Sequence, residues 1–166
     1  MKGLKRVYLF VLAVVLAVSV FAFVGCDKGE GKALSGSMKI VITPDTQTQA
    51  TVIDVDLDGF TDKSTVEDVM KSLKKAGKLY YEGSSSVGTG LMLTAIGVED
   101  GKYILDESNW ILVCTSVEAD FYETEEGSEF PAQKVEYEGM TLVQGAVGVS
   151  SLSICDGAVI YFTYWM

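Results

Sequence analysis

Histidine is absent from all 166 residues. Its absence removes the commonest general base and the commonest transition-metal ligand at once, and with them the usual serine and cysteine hydrolase triads. Positive charge is scarce, with 13 Lys and Arg against 23 Asp and Glu. So acidic a surface repels nucleic-acid phosphates and anionic lipid headgroups, which argues against a nucleic-acid function and leaves membrane attachment to something other than charge. Carboxylates are plentiful, yet their spacing picks out no acid and base pair of the kind that glycoside hydrolysis uses, so the chain reads as a non-enzyme. Cysteine is limited to Cys26, Cys114 and Cys155.

Long apolar runs are confined to one place. Lys2, Lys5 and Arg6 form a basic head, Val7 to Val24 is almost unbroken apolar sequence, and Gly25-Cys26 follows. That order is the pattern of a secretory signal peptide, and a cysteine after a small residue resembles a bacterial lipobox. The expectation is cleavage of residues 1–25, acylation of Cys26, and a lipid anchor on the outer face of the bacterial cell membrane. An apolar stretch of this length also approaches a transmembrane helix, but its flanks favour cleavage. The small, polar stretch 26–37 reads as a flexible tether, and residues 38–166 as one domain. After cleavage 10 basic residues stand against 23 acidic ones, a net charge of −13.

Met38 to Thr43 reads as a strand stopped by Pro44-Asp45. In residues 51–58, Ile53, Val55 and Leu57 alternate with Asp54, Asp56 and Asp58, as in a strand with one wet face. Ser64-Thr65-Val66-Glu67 has the form of a capping box, Val66, Val69, Met70, Leu73 and Ala76 make one helical stripe, and Gly77 is placed to end that helix. Residues 83–90 carry enough glycine and serine to read as a loop. Strands are expected at 91–96, 109–115, 140–143, 152–155 and 158–165, the last in the middle of a sheet because it is uninterrupted and rich in β-branched and aromatic residues. Residues 117–138 hold eight acids against the single base Lys134, and read as an exposed, partly extended insertion. Strands around one helix give an α+β domain, a mixed sheet with the helix packed across one face.

Thr65-Val66 at the helix start, Ala95-Ile96-Gly97-Val98, Asn109-Trp110-Ile111-Leu112 and Cys155-Asp156-Gly157-Ala158-Val159-Ile160-Tyr161-Phe162 together resemble the transcobalamin C-terminal-like family of bacterial surface lipoproteins. The resemblance implies a β-grasp fold and a non-catalytic ligand-binding role, with a corrinoid or cobalamin-like ligand the first to test. The chain departs from the family where Thr115-Ser116-Val117-Glu118 stands in place of an Asn-Gly turn.

Candidate sites follow from residue type. Tyr80 and Tyr81, with Gly88, Thr89 and Gly90 in the neighbouring loop, offer aromatic faces and bare backbone suited to a large amphipathic ring. Trp110 is a further candidate; the competing and favoured reading packs it in the core, because apolar residues follow it without a break. Asp54, Asp56, Asp58 and Asp62 reproduce the first nine positions of an EF-hand loop, but the twelfth is Thr65, so at most a weak divalent-cation site is expected and a solvated strand face is favoured. Outside the cytoplasm a disulfide between Cys114 and Cys155 is permitted, and buried free thiols are equally ordinary. The acidic stretch 117–138 and its aromatics would suit a protein, transporter or wall-polymer partner at the cell surface.

Overall fold

The computed structural model describes residues 31–45, 48–86 and 90–165. The expected signal sequence, Cys26, Gly88 and Thr89 lie outside the described residues. From Lys32 onward the chain forms one compact unit. Among the described residues it is an α+β fold of eight strands and one α-helix.

Strand β1 (Ser37–Ile42) pairs antiparallel with β2 (Thr51–Asp56), bringing Lys39 opposite Asp54 and Ser37 opposite Asp56. Helix α1 (Val66–Lys75) follows. Strands β3 (Tyr80–Ser86) and β4 (Gly90–Gly97) form a separate antiparallel pair. Strands β5 (Ile111–Thr115), β6 (Lys134–Tyr137), β7 (Met140–Gln144) and β8 (Val159–Tyr164) complete a six-stranded sheet in the order β2-β1-β8-β5-β7-β6. The central pair β1 and β8 runs parallel and the other pairs antiparallel, so the sheet is mixed.

The expected helix is present, with its cap one residue later than the sequence pattern suggests. Thr65 is the N-cap and the Asp68 carboxylate accepts its N–H at 2.9 Å, while Glu67 instead pairs with Lys71 one turn on at 2.8 Å. At the far end Gly77 takes φ 69°, Lys78 N–H reaches the Leu73 carbonyl and Gly77 N–H the Lys74 carbonyl, a Schellman ending that requires this left-handed glycine. Val66, Val69, Met70 and Leu73 are buried against Met38, Ile40 and Ile42 of β1 and Ile160 and Phe162 of β8, so the helix covers one face of the sheet. The alternation in β2 holds too: Val55 and Leu57 are buried and the three aspartates exposed.

Among the described residues no helix covers the opposite face, yet Val41, Leu112, Cys114, Val159 and Tyr161 are buried there. Strands β6 and β7 fold back across it. Val135 and Leu142 join that cluster, Tyr137 meets Tyr161 with ring centroids 5.7 Å apart, and the Glu138 carboxylate reaches Lys39 of β1 at 2.9 Å. The turn that allows this is tight, with Glu138 at φ 48° and Gly139 at φ 79°, the two left-handed positions of a hairpin whose twist matches its strands.

Four expectations need correction. The tether is ordered from Lys32: Leu34 packs against the core and donates its N–H to the Phe60 carbonyl at 2.9 Å. Residues 83–86 continue β3 and are no loop, because Gly83 has no Cβ to strike the Met92 carbonyl of the partner strand. Residues 152–155 form no strand, only an isolated bridge from Ser153 to Thr65. Finally, 117–138 is not wholly an insertion, since it ends in β6, and Asp120 takes the Ser153 N–H at 2.6 Å.

Cys114 and Cys155 are both free, the first buried and the second exposed. Cys114 belongs to the face covered by β6 and β7, whereas Cys155 sits at the turn before β8. Burial pushes the Cys114 thiol up to about 12, so little thiolate forms there at neutral pH. Thiol labelling under native conditions is therefore expected to modify Cys155 and spare Cys114 until denaturant is added, as read by peptide mass spectrometry.

Candidate groove between β4 and β5

Strands β4 and β5 lie side by side without forming a ladder, since they belong to different sheets. Side chains fill the gap only in part, leaving an open groove of about 430 Å³. Its floor is the edge of the main core: Leu91 and Leu93 of β4, Ile111 and Val113 of β5, and Val149. Its rim carries Thr94, Glu107, Ser108 and Asn109. Two large apolar side chains among the lining residues stand in solvent, Met92 at 48% and Trp110 at 76% exposure. A folded chain gains nothing by leaving a tryptophan and a methionine so open beside an apolar floor, which is the usual mark of a binding surface.

One wall is the loop from Leu105 to Trp110. It is anchored at its start by Leu105, fully buried and hydrogen-bonded in both directions to Ile96. Next, the Asp106 carboxylate accepts the Ser108 N–H at 3.0 Å and the Tyr164 hydroxyl at 3.2 Å. The bonds from Ser108, then that from Tyr164, hold the Asp106 carboxyl below its usual range. At the loop's end the Trp165 N–H donates to the Trp110 carbonyl at 2.8 Å, which extends the β5 and β8 pairing to the tryptophan.

The other wall is 148–150, and Ser150 ties it to two elements. Its hydroxyl accepts the Leu91 N–H at 2.8 Å and also contacts the Glu67 carboxylate. The helix supports the same turn, since the otherwise orphaned N–H groups of Val66 and Glu67 donate to the carbonyls of Leu152 and Val149. Gly90, at φ 70°, lets the start of β4 press against Ser150; any Cβ there would overlap the Ser150 hydroxyl.

Lys71 first, then Ser150, lowers the pKa of Glu67 from its ordinary 4.5. A carboxylate depressed on folding contributes its full stabilisation above the unfolded value and loses it as pH falls through the folded one. The stability difference between wild type and Glu67→Gln is therefore expected to be constant at neutral pH and to close on acidification below 4.5, measured by urea unfolding across pH.

The sequence candidates divide around this groove. Trp110 lines it and is open, against the favoured expectation of a core tryptophan; as the residue just before β5 it escapes the burial of the run that follows. Gly90 adjoins it through Ser150. Tyr80 and Tyr81 are not among its lining residues. Tyr81 is half-buried against the core, with the Lys74 ammonium 4.4 Å from its ring centre, and the Tyr80 hydroxyl lies beside Gly77. Met92, Glu107 and Val149 were not singled out from sequence: the run Leu91-Met92-Leu93 gives no sign that its middle residue faces out.

The aspartate run does not assemble into a cation site. Among the described residues no three acidic or cysteine side chains come together as metal ligands. Asp56 is turned to the N–H of Asp58 at 2.8 Å, and Asp62 to the N–H of Lys32 at 2.9 Å. Asp54 stands in register with Lys39. Local backbone donors thus engage two of the four carboxylates, and Asp54, Asp56, Asp58 and Asp62 are all exposed and not gathered as one set of ligands. Neither a scan against protein-family models nor a search of curated proteins finds a significant match to this chain, so the reading of the groove rests on its own geometry.

Proposed function

We propose that this chain is an exported, lipid-anchored and non-catalytic ligand-binding module of β-grasp type, and that it holds its ligand in the groove between β4 and β5. The observation that carries the proposal is Trp110, 76% exposed beside an apolar floor. The β-grasp reading draws support from the sheet order, in which a first hairpin leads into the helix and the last strand returns to the centre beside β1. The non-catalytic reading draws support from a sequence without histidine and from a groove whose one ionisable lining residue is Glu107. Anchorage at Cys26 follows from the basic head, apolar run and Gly25-Cys26.

A volume of about 430 Å³ suits a small flat molecule or one edge of a larger ring. By family resemblance a corrinoid is the first ligand to try. Calorimetric titration with cobinamide and cobalamin at ~0.1 mM tests it, with Trp110→Ala as the comparison. Binding that falls at least about tenfold in Trp110→Ala supports the groove; absence of heat and of any spectral change removes the corrinoid. Labelled palmitate that fails to attach at Cys26 would remove the anchor.

A second reading, a surface module for a protein or wall polymer, is favoured by Phe130, 71% exposed within the acidic stretch. Deleting 117–138 would remove β6, so Phe130→Ala is the cleaner test. Loss of pull-down from the cell surface, with the fold intact, would support that reading.

A further inference from the structure

We propose that the groove selects a flat hydrophobic cation over neutral or anionic rings of the same shape. The inference rests on the groove reading above and adds the sign of the ligand's charge. Leu91, Leu93, Ile111, Val113 and Val149 ask only for apolar surface. Discrimination must come from the rim, where Glu107 is the one ionisable lining residue and the Asp106 carboxylate next to it is fixed by Ser108 and Tyr164. Trp110 adds the negative face of an indole, the best aromatic partner for a cation, and is open enough to be covered. The wider field has the same sign, because the chain carries a net charge of −10. Lys102, the base nearest in sequence, is already paired with Glu99.

An anionic ring entering this groove loses solvation and meets the Glu107 carboxylate. A cationic ring can place its charge toward Glu107 while its face covers Trp110 and its edge meets the apolar floor. An exposed charge pair of this kind is worth up to about a fivefold change in affinity, and an exposed cation–π contact about as much again.

The test uses the full chain in zwitterionic nanodiscs with Trp165→Phe, which leaves Trp110 as the sole tryptophan because the chain has two. Three ring-matched probes are titrated at neutral pH with Trp110 emission as the readout: an aminoacridinium cation, a hydroxymethylanthracene and an anthracenecarboxylate. The expected order is cation, then neutral ring, then anion, the first step about fivefold or more. Glu107→Gln should shrink the cation's advantage by up to about fivefold, leaving the share that Trp110 supplies, and Glu107→Lys should shrink it further or reverse the order; far-UV circular dichroism checks that both variants fold. Equal affinities, a preference for the anion, or an advantage unmoved by either substitution overturns the cation inference while leaving the groove. If none of the rings quenches Trp110, the groove reading itself fails.

Discussion

Phe162→Ala is expected to remove about 4 kcal/mol of folding stability, seen as a fall in the urea midpoint with an unchanged slope. The reason is position as much as size. Phe162 is fully buried in β8, in register with Ile42 on one side and Val113 on the other, and its carbonyl takes the Thr43 N–H at 3.1 Å. It is thus packed under the helix in the strand where the sheet's one parallel pairing meets an antiparallel one. Strands bonded on both sides cannot shift to fill the hole, so most of the cavity remains and its cost adds to the lost burial. Against a typical domain stability of about 5–15 kcal/mol, this one truncation would leave a marginal protein. Phe130→Ala, at a side chain 71% exposed, should change stability by no more than about 0.5 kcal/mol. Equal losses at the two positions would mean that the core is not centred on β8.

What the sequence discloses of this fold is the part dictated by local pattern. The aspartates of β2 and the turn after it alternate with buried Val55 and Leu57 because a strand has two sides, and Val66, Val69, Met70 and Leu73 of the helix stripe are buried because their period matches one face, while Ala76 at the C-cap is exposed. The last strand runs through the middle of the sheet, as its unbroken apolar character requires. What escaped was non-local. Nothing between 83 and 86 marks a strand, since its pairing depends on Leu91 and Met92 arriving opposite, and glycine there serves the close approach of two backbones. The tether became ordered because Phe60 offers a carbonyl to Leu34, a contact no window of sequence contains. The aspartate run shows the local side of the same rule: Asp56 closes an Asx bond with the N–H of Asp58, two residues on, a contact that the sequence spacing alone permits.

The groove was the least legible feature, because it is a gap between two sheets rather than a property of either. Trp110 was visible as a candidate but pointed, by its apolar neighbours, toward the interior. Only the pairing of Trp165 with Trp110 at the end of β5 and β8 shows that the strand has run out of cover there.

That dependence on distant supports leads to the second large effect, Gly97→Ala, expected to cost about 3 kcal/mol and to weaken groove binding at least about tenfold. Gly97 is buried at the end of β4, and the chain that turns through Glu99 and Lys102 comes back directly over it. An added Cβ would overlap the Lys102 carbonyl oxygen and lie 2.9 Å from the Tyr103 Cα. Both obstacles are backbone, so neither can be relieved by a rotamer change. Relief must come from moving residues 102–104 away, and Ile104 and Leu105 are the residues that hold Ile96 by hydrogen bonds of 2.8 to 3.1 Å. Freeing them releases the loop that carries Asp106, Glu107 and Trp110, although none of these touches the substituted position. Urea unfolding and titration of the aminoacridinium probe separate the two consequences, with Glu99→Ala, at the exposed turn nearby, expected to change stability by no more than about 0.5 kcal/mol. If Gly97→Ala destabilises the fold but binds the probe as wild type does, the Leu105 anchor is not what positions this wall, which must then be held from the Trp165 end.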